Sequence, residues 1–114
     1  MRDKSDVLHG TLDLMVLKTL DAMGPLHGYS IARRIEQISS HQLSINQGTL
    51  YPALLKLQQH GWVSAKWAES NTGRRVKLYA ITLRGRQRLE AEESDWRRAA
   101  GIVAKFFKLS KGTP

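Results

Sequence analysis

Residues 46–75 read N-Q-G-T-L-Y-P-A-L-L-K-L-Q-Q-H-G-W-V-S-A-K-W-A-E-S-N-T-G-R-R. With Asn46 as a cap, a helical advance of about 100° per residue puts Leu50, Ala53, Leu54 and Leu57 on one stripe that has to be buried. Gly48, Thr49, Pro52, Leu55, Lys56 and Gln59 fall on the opposite side. That outward face is slim at its start and carries one cation and no carboxylate. An ordinary solvated face is rich in Glu/Lys pairs at i,i+4. A helix that enters a major groove needs small residues near its N-terminus and no carboxylate against phosphate. Gly61 predicts the end of this helix. Residues 62–69 and 75–82 then alternate as strands, with Val63, Ala65 and Trp67 on one side of the first and Val76, Leu78 and Ala80 on one side of the second. Ser70-Asn71-Thr72-Gly73-Arg74 joins them as a turn in which Asn71 and Gly73 tolerate positive φ. A slim-faced helix, a hairpin and a basic turn, in that order, make the layout of a DNA-reading winged helix.

Upstream, residues 11–23 predict a helix ended by Gly24-Pro25. Its apolar residues are too many for one stripe. Leu8, Leu12, Met15, Val16 and Leu20 share one face, while Val7, Leu14 and Leu17 lie roughly opposite. A second subunit is the simplest cover for the second face, the other option being the chain's own last helix. The next helix begins near Leu26-His27-Gly28-Tyr29-Ser30, with Ile31, Ile35 and Ile38 at helical spacing. The short link His41-Gln42-Leu43-Ser44-Ile45 leads into the Asn46 helix, so the two make a helix-turn-helix. Pro52, six positions into its helix, removes a donor and crowds the carbonyl of Gly48, which predicts a kink or a displaced first turn.

Downstream, Thr82 is a good N-cap for a helix over residues 83–108. On it Leu89, Trp96 and Val103 repeat every seven residues, with Ala99, Ala100, Phe106 and Phe107 nearby, giving one long apolar seam. A helix of that length projects beyond a small core, and the seam is expected to meet another chain. The fold class is mainly α with a small β-hairpin. Residues 1–82 form the winged helix-turn-helix, 83–109 a dimerisation helix and 110–114 a frayed tail.

The chain has 114 residues, no cysteine and a net charge of +8. Its size suits one domain, and the missing thiols exclude disulfides, thiolate metal sites and cysteine nucleophiles together. No run approaches the ~20 apolar residues of a membrane span, and no signal-peptide pattern follows the charged start; a cytoplasmic protein is expected. The charge is localised. Residues 61–88 hold seven Lys/Arg against one acid, whereas residues 1–60 hold six against five and residues 89–114 five against four. A basic patch confined to the hairpin and the helix start after it suits a positioned contact with a polyanion or, on charge alone, equally a solubilising surface; its position beside the groove-compatible helix favours the contact.

Several runs together resemble the PadR family of bacterial transcriptional regulators: Gly10-Thr11-Leu12-Asp13-Leu14, Gly24-Pro25-Leu26-His27-Gly28-Tyr29, Gly48-Thr49-Leu50-Tyr51-Pro52-Ala53-Leu54, Gly61-Trp62, and Tyr79-Ala80-Ile81-Thr82 before Gly85. The resemblance covers residues 8–107. It implies a winged-helix homodimer, usually a repressor, on a palindromic operator in double-stranded DNA, controlling transporter, detoxification or stress genes. The single short C-terminal helix resembles the smaller subgroup, which dimerises through its first and last helices. Leu14, Leu17, Leu89, Trp96, Val103, Phe106 and Phe107 are then the interface candidates.

On the same resemblance, residues 46–60 form the recognition helix, with Thr49, Tyr51, Pro52 and Lys56 at or beside the groove. Tyr51 is alternatively a core-edge residue, and Tyr29 either a phosphate contact or packing over the turn. Asn46 and Gln47 match base edges, although Asn46 serves equally as a cap alone. Arg74 and Arg75 at the wing tip, with Lys77 close by and Lys66 on the partner strand, suit a narrow minor groove or its phosphates, against the plainer reading of a solvated turn. In some relatives an apolar or phenolic effector binds between the subunits against aromatic residues of the last helix. Trp96 is the match, although a Trp in an apolar seam is more often packing.

No cofactor motif is present. His9, His27, His41 and His60 are scattered, no motif places a catalytic triad or carboxylate pair, and Glu90, Glu92, Glu93 and Asp95 read as a solvated helix face. Without cysteine or a His spacing suited to zinc, a metal sensor is a weak rival. The serious alternative is a winged helix that binds protein instead of DNA, which predicts an uncharged wing and an apolar outer helix face. Leu55 favours it and the basic stretch opposes it.

Overall fold

The computed structural model describes residues 11–112. Val7, Leu8, His9, Gly10 and the last two residues of the expected tail lie outside them. The order is α1 (Leu12–Met23), β1 (Leu26–His27), α2 (Gly28–Ile38), α3 (Gln47–Gln59), β2 (Val63–Glu69), β3 (Arg75–Ile81) and α4 (Leu83–Phe107).

The core forms where the inner stripes of the first three helices meet. Val16, Leu17 and Leu20 of α1, Ile31 and Ile35 of α2, and Leu50, Leu54 and Leu57 of α3 are buried together with Val63, Tyr79 and Leu89. The α3 stripe read from the sequence is the buried one, with Ala53 half-buried at its edge. Asn46 caps α3, its Oδ1 accepting from the Thr49 amide at 2.9 Å. Pro52 sits on the exposed side of α3, and the helix runs through it unbroken from Gln47 to Gln59. Residue Gly48, whose carbonyl the proline ring crowds, has no side chain to add to that crowding.

Two expectations are corrected. The sheet has three antiparallel strands in the order β1-β3-β2, not two. Leu26 and His27, expected at a helix start, pair instead with Tyr79 and Leu78 on the free edge of β3. A two-residue strand has no periodicity to read, and only the open edge of β3 creates it. Val63 lies opposite Ile81, Ala65 opposite Tyr79 and Trp67 opposite Lys77, so the first strand's set shares its face with Ile81, Tyr79 and Lys77, while Val76, Leu78 and Ala80 alternate on the other face. Of these, Tyr79 is core and Ile81 packs against it. Register, set by the turn, assigns the faces, and a shift of one residue exchanges them. Finally, Leu17 and Leu89 are buried within the protomer's own core. Leu17 is drawn in because α1 is covered from two sides, by the helix-turn-helix and by α4. Leu89 is drawn in because the first turns of α4 lie across α1. Neither side chain is free for a second subunit, and Leu14 packs partly against the core as well.

The helix-turn-helix link holds two consecutive non-glycine residues at positive φ, Ser40 (55°) and His41 (62°). This conformation is uncommon for such residues. Here it ends α2: the Ser40 amide donates to the Gln37 carbonyl, the His41 amide to that of Glu36 at 2.8 Å, and the Leu43 amide to Ser39 Oγ.

The wing connects to α4 through one joint. Thr82 Oγ1 donates to the Gly61 carbonyl at 2.7 Å and accepts from the Gly85 amide at 3.0 Å, while the Thr82 amide donates to the Trp62 carbonyl. Two exposed ion pairs, Lys18 with Glu93 and Asp21 with Arg86, then tie α1 to α4. They fix the course of the helix more than its stability. Beyond Leu89 no α4 residue is buried, and Trp96, Ile102, Val103, Phe106 and Phe107 are exposed. Among the described residues no helix is long and apolar enough to cross a membrane.

Candidate nucleic-acid interface

Two structural choices aim α3 outward at its N-terminus. Its buried stripe fixes the rotation of the helix, and the close approach of α2 fixes Tyr51. A Cβ at Gly28 would lie 2.6 Å from the Tyr51 hydroxyl. The phenol therefore occupies the space that a side chain on the first residue of α2 would take, and it stays exposed rather than joining the core. Tyr51 is thus a packed core-edge residue whose ring also faces outward.

The wing turn is closed by its own polar groups. The Ser70 amide donates to the Arg74 carbonyl at 2.8 Å, the Gly73 amide to the Ser70 carbonyl, and the Arg74 amide to Ser70 Oγ. Gly73 takes the positive φ expected there, at 80°, and Asn71 does not. This turn presents Arg74 and Arg75 to solvent.

Between wing and helices lies an open concavity of about 650 Å³, lined by His27, Gly28, Tyr29, Tyr51, Trp67, Arg74, Arg75, Val76, Lys77 and Tyr79. Three cations and four large aromatic rings meet there, with the start of α2 as the floor. A second concavity beside it is lined by Tyr29, Arg33, Glu36, Gln37, His41, Asn46 and Gln47 among others. Tyr29 stands on the rim between the two, more than half exposed, with the Arg33 guanidinium 5.9 Å from its ring centroid. Hydroxyls, amides and cations over a helix N-terminus form a surface chemically suited to phosphates and base edges.

Tyr79, at the back of the first concavity, has a displaced ionisation. Burial raises its pKa above the ordinary value of about 10, and the neighbouring Tyr51 adds to the shift. Folding therefore favours the protonated phenol. The contribution is fully present below about pH 10 and is lost as pH rises through the raised folded value. An alkaline absorbance titration is expected to show a late phenolate component that Tyr79→Phe removes. A titration curve that keeps this component in the variant would assign it elsewhere.

A family model described as the transcriptional regulator PadR-like family matches residues 16–91, which span α1 through the start of α4 and so include both concavities. The chain belongs to this family. Solved relatives show the PadR fold along nearly the whole chain. A transcriptional regulator from Clostridium thermocellum is 27% identical with a TM-score of 0.80, covering 90% of this chain and 99% of that one. A PadR family transcriptional regulator from Eggerthella lenta is 25% identical with a TM-score of 0.78, covering 93% and 89%. Among curated proteins, an uncharacterised protein X from Lysinibacillus sphaericus is 25% identical over 105 residues, 92% of this chain and 95% of its own length. An uncharacterised 37.1 kDa transposon protein from Streptomyces fradiae is 39% identical over 90 residues, of whose length the match spans 24%. The protein is a PadR-like transcriptional regulator with a winged helix-turn-helix fold.

Within this PadR fold the expected contact residues divide into groups. Tyr29, Tyr51, Arg74, Arg75 and Lys77 come together around the first concavity, and Asn46 and Gln47 join Tyr29 around the second. Thr49, half-buried, and Pro52, exposed, lie on α3 outside both linings. Lys56, two turns further along, is paired with Asp13 of α1 at 3.3 Å. Lys66 lies opposite Leu78, on the other face of the sheet from Lys77. Trp67, Arg33 and His41 were not among the sequence candidates. Trp67 had a signal, as it alternates in phase with Val63 and Ala65 on a strand paired with a basic one. Arg33 and His41 had none, because only the crossing of α2 and α3 brings them beside Asn46. Among the described residues no group of His, Cys, Asp or Glu is placed to hold a metal.

Proposed function

We propose that this PadR-like regulator is a cytoplasmic, homodimeric repressor that binds a palindromic operator in double-stranded DNA and controls transporter, detoxification or stress genes. Each subunit would lay the start of α3, with Asn46, Gln47, Thr49, Tyr51 and Pro52, in a major groove. Tyr29 and the wing cations Arg74, Arg75 and Lys77 would grip the adjacent backbone or minor groove, while Lys66 would add charge from further out and Lys56, held by Asp13, would add little. The observation that carries this reading is the convergence of the wing cations with Tyr29 and Tyr51 on a single concave face. The exposed apolar side chains of α4, Trp96, Val103, Phe106 and Phe107, support dimerisation through residues 83–109, because a lone chain leaves them in water. A small apolar effector seated against Trp96 would change the angle between the subunits and so the spacing of their half-sites.

The test is an anisotropy titration against a duplex carrying the regulator's own upstream region, at two salt concentrations, with a promoter–reporter in parallel. Tight binding that competitor DNA leaves intact, that weakens steeply with salt, and that silences the reporter is the expected result. Binding that any duplex competes away equally would favour a protein-binding winged helix. A candidate apolar ligand should lower operator affinity, and a Trp96→Ala variant should abolish that response. Affinity unmoved by every such ligand would remove the effector from the proposal.

A further inference from the structure

Trp67 is 58% exposed on β2. Its same-face neighbours Val63 and Ala65 pack into or against the core, whereas Trp67 does not. What the indole does contact is charge: the Arg75 guanidinium lies 4.9 Å from its ring centroid and the Lys77 ammonium 5.8 Å. Strand register supplies a second observation. Glu69 stands directly opposite Arg75, and an opposite-charge cross-strand pair is normally favourable. Yet among the ion pairs of the described residues none joins Arg75 to Glu69, and Arg75 lies over the indole instead.

We infer that Trp67 is a positioning residue of the wing, which holds Arg75 and Lys77 toward the concavity and keeps Arg75 away from the Glu69 carboxylate. The inference rests on the DNA-binding reading of the wing. A cation over an aromatic face is attracted by the ring quadrupole without being neutralised. Both long side chains are thereby partly ordered, yet their full charge stays available to a phosphate. A carboxylate partner would order Arg75 equally well but cancel its charge. The ring also occupies the wall of the concavity beside both cations, so the ordering points them at the surface where α2 and α3 begin.

The test measures the affinity and the log–log salt slope of the full chain for a mixed-sequence duplex, which reads phosphate contacts without needing the operator. Four variants are compared with the parent: Arg75→Ala, Trp67→Leu, Trp67→Phe, and Trp67→Leu combined with Glu69→Gln. Trp67→Leu changes no charge, yet it is expected to weaken binding about five- to tenfold and to reduce the slope by about one, as loss of one phosphate contact does. Trp67→Phe should retain most of both. Removing the competing carboxylate in the Trp67→Leu background should restore the slope. An unchanged slope in Trp67→Leu, or a loss that neither Trp67→Phe nor the Glu69→Gln combination recovers, overturns the positioning role. If Arg75→Ala itself leaves affinity and slope intact, the wing does not grip DNA, and the reading beneath the inference fails instead.

Discussion

Replacing Arg74 and Arg75 together by alanine is expected to weaken operator binding roughly 30-fold while leaving the thermal midpoint nearly unchanged. Both side chains are exposed on a turn closed by backbone bonds and by Ser70 Oγ rather than by the guanidinium groups. Surface replacements of that kind usually cost within about 0.5 kcal/mol of stability. For binding, each arginine lost from a phosphate or base edge removes about 1 kcal/mol or more, and a total of about 2 kcal/mol converts to that factor. The salt slope should fall by about two if both contact phosphate. Lys56→Ala is the internal comparison. Its ammonium is paired with Asp13, so its removal should cost clearly less than either arginine. An anisotropy titration in which the double variant binds as well as the parent would sink the wing assignment.

The largest loss of stability is expected from a single methyl group at Gly85. A Cβ there would overlap the carbonyl oxygen of Trp62 and approach Ile81 Cγ1 to 2.8 Å. The carbonyl cannot withdraw cheaply, because the same Trp62 oxygen accepts the Thr82 amide at 3.0 Å. The glycine amide is itself held by Thr82 Oγ1, which bonds onward to the Gly61 carbonyl. Gly85→Ala must therefore push α4 off the base of the wing or break this cap. Overpacking of this kind costs about 1–3 kcal/mol, and loss of a cap adds about 1. For a chain of this size each kcal/mol lowers the midpoint by about 4–8 °C, so a fall of 10 °C or more is expected in a circular-dichroism melt. A variant melting within 2 °C of the parent, about half the smallest shift that 1 kcal/mol produces, would show that the joint yields more easily than its hydrogen bonds suggest. Gly101→Ala, on the same helix with open space around the glycine, is the comparison and should leave the midpoint unchanged or raise it, because alanine favours a helix interior.

Much of this fold is legible in particular residues. Leu50, Leu54 and Leu57 at helical spacing define the inner face of α3, and by exclusion its outer one. Asn46 and Thr82 are read correctly as caps, Gly24 and Gly61 as helix ends, and Gly73 as a positive-φ turn residue. Local patterns of this kind are decided by neighbours within one or two turns, which is the range a sequence displays. The residues that were misread all depend on a partner distant in the chain. Leu26 becomes a strand residue only beside Tyr79, and Leu89 becomes core only once α4 crosses α1.

The candidate interface divides along the same line. Its charge was legible, since Arg74, Arg75 and Lys77 cluster in the sequence itself. The state of each cation was not. Whether Lys56 faces solvent or Asp13, whether Lys66 shares a face with Lys77, and whether Arg75 turns to Glu69 or to Trp67 are settled by strand register and helix crossing.

The sequence by itself thus determined the helices, the hairpin, the caps and the location of the positive charge, because periodicity and capping act through contacts a few residues apart. Only the tertiary structure decided which strand face is core, which apolar residues of α1 and α4 remain uncovered, and which cations stay free of a carboxylate. Those outcomes depend on distances between residues tens of positions apart, and these are set only when the whole chain packs at once.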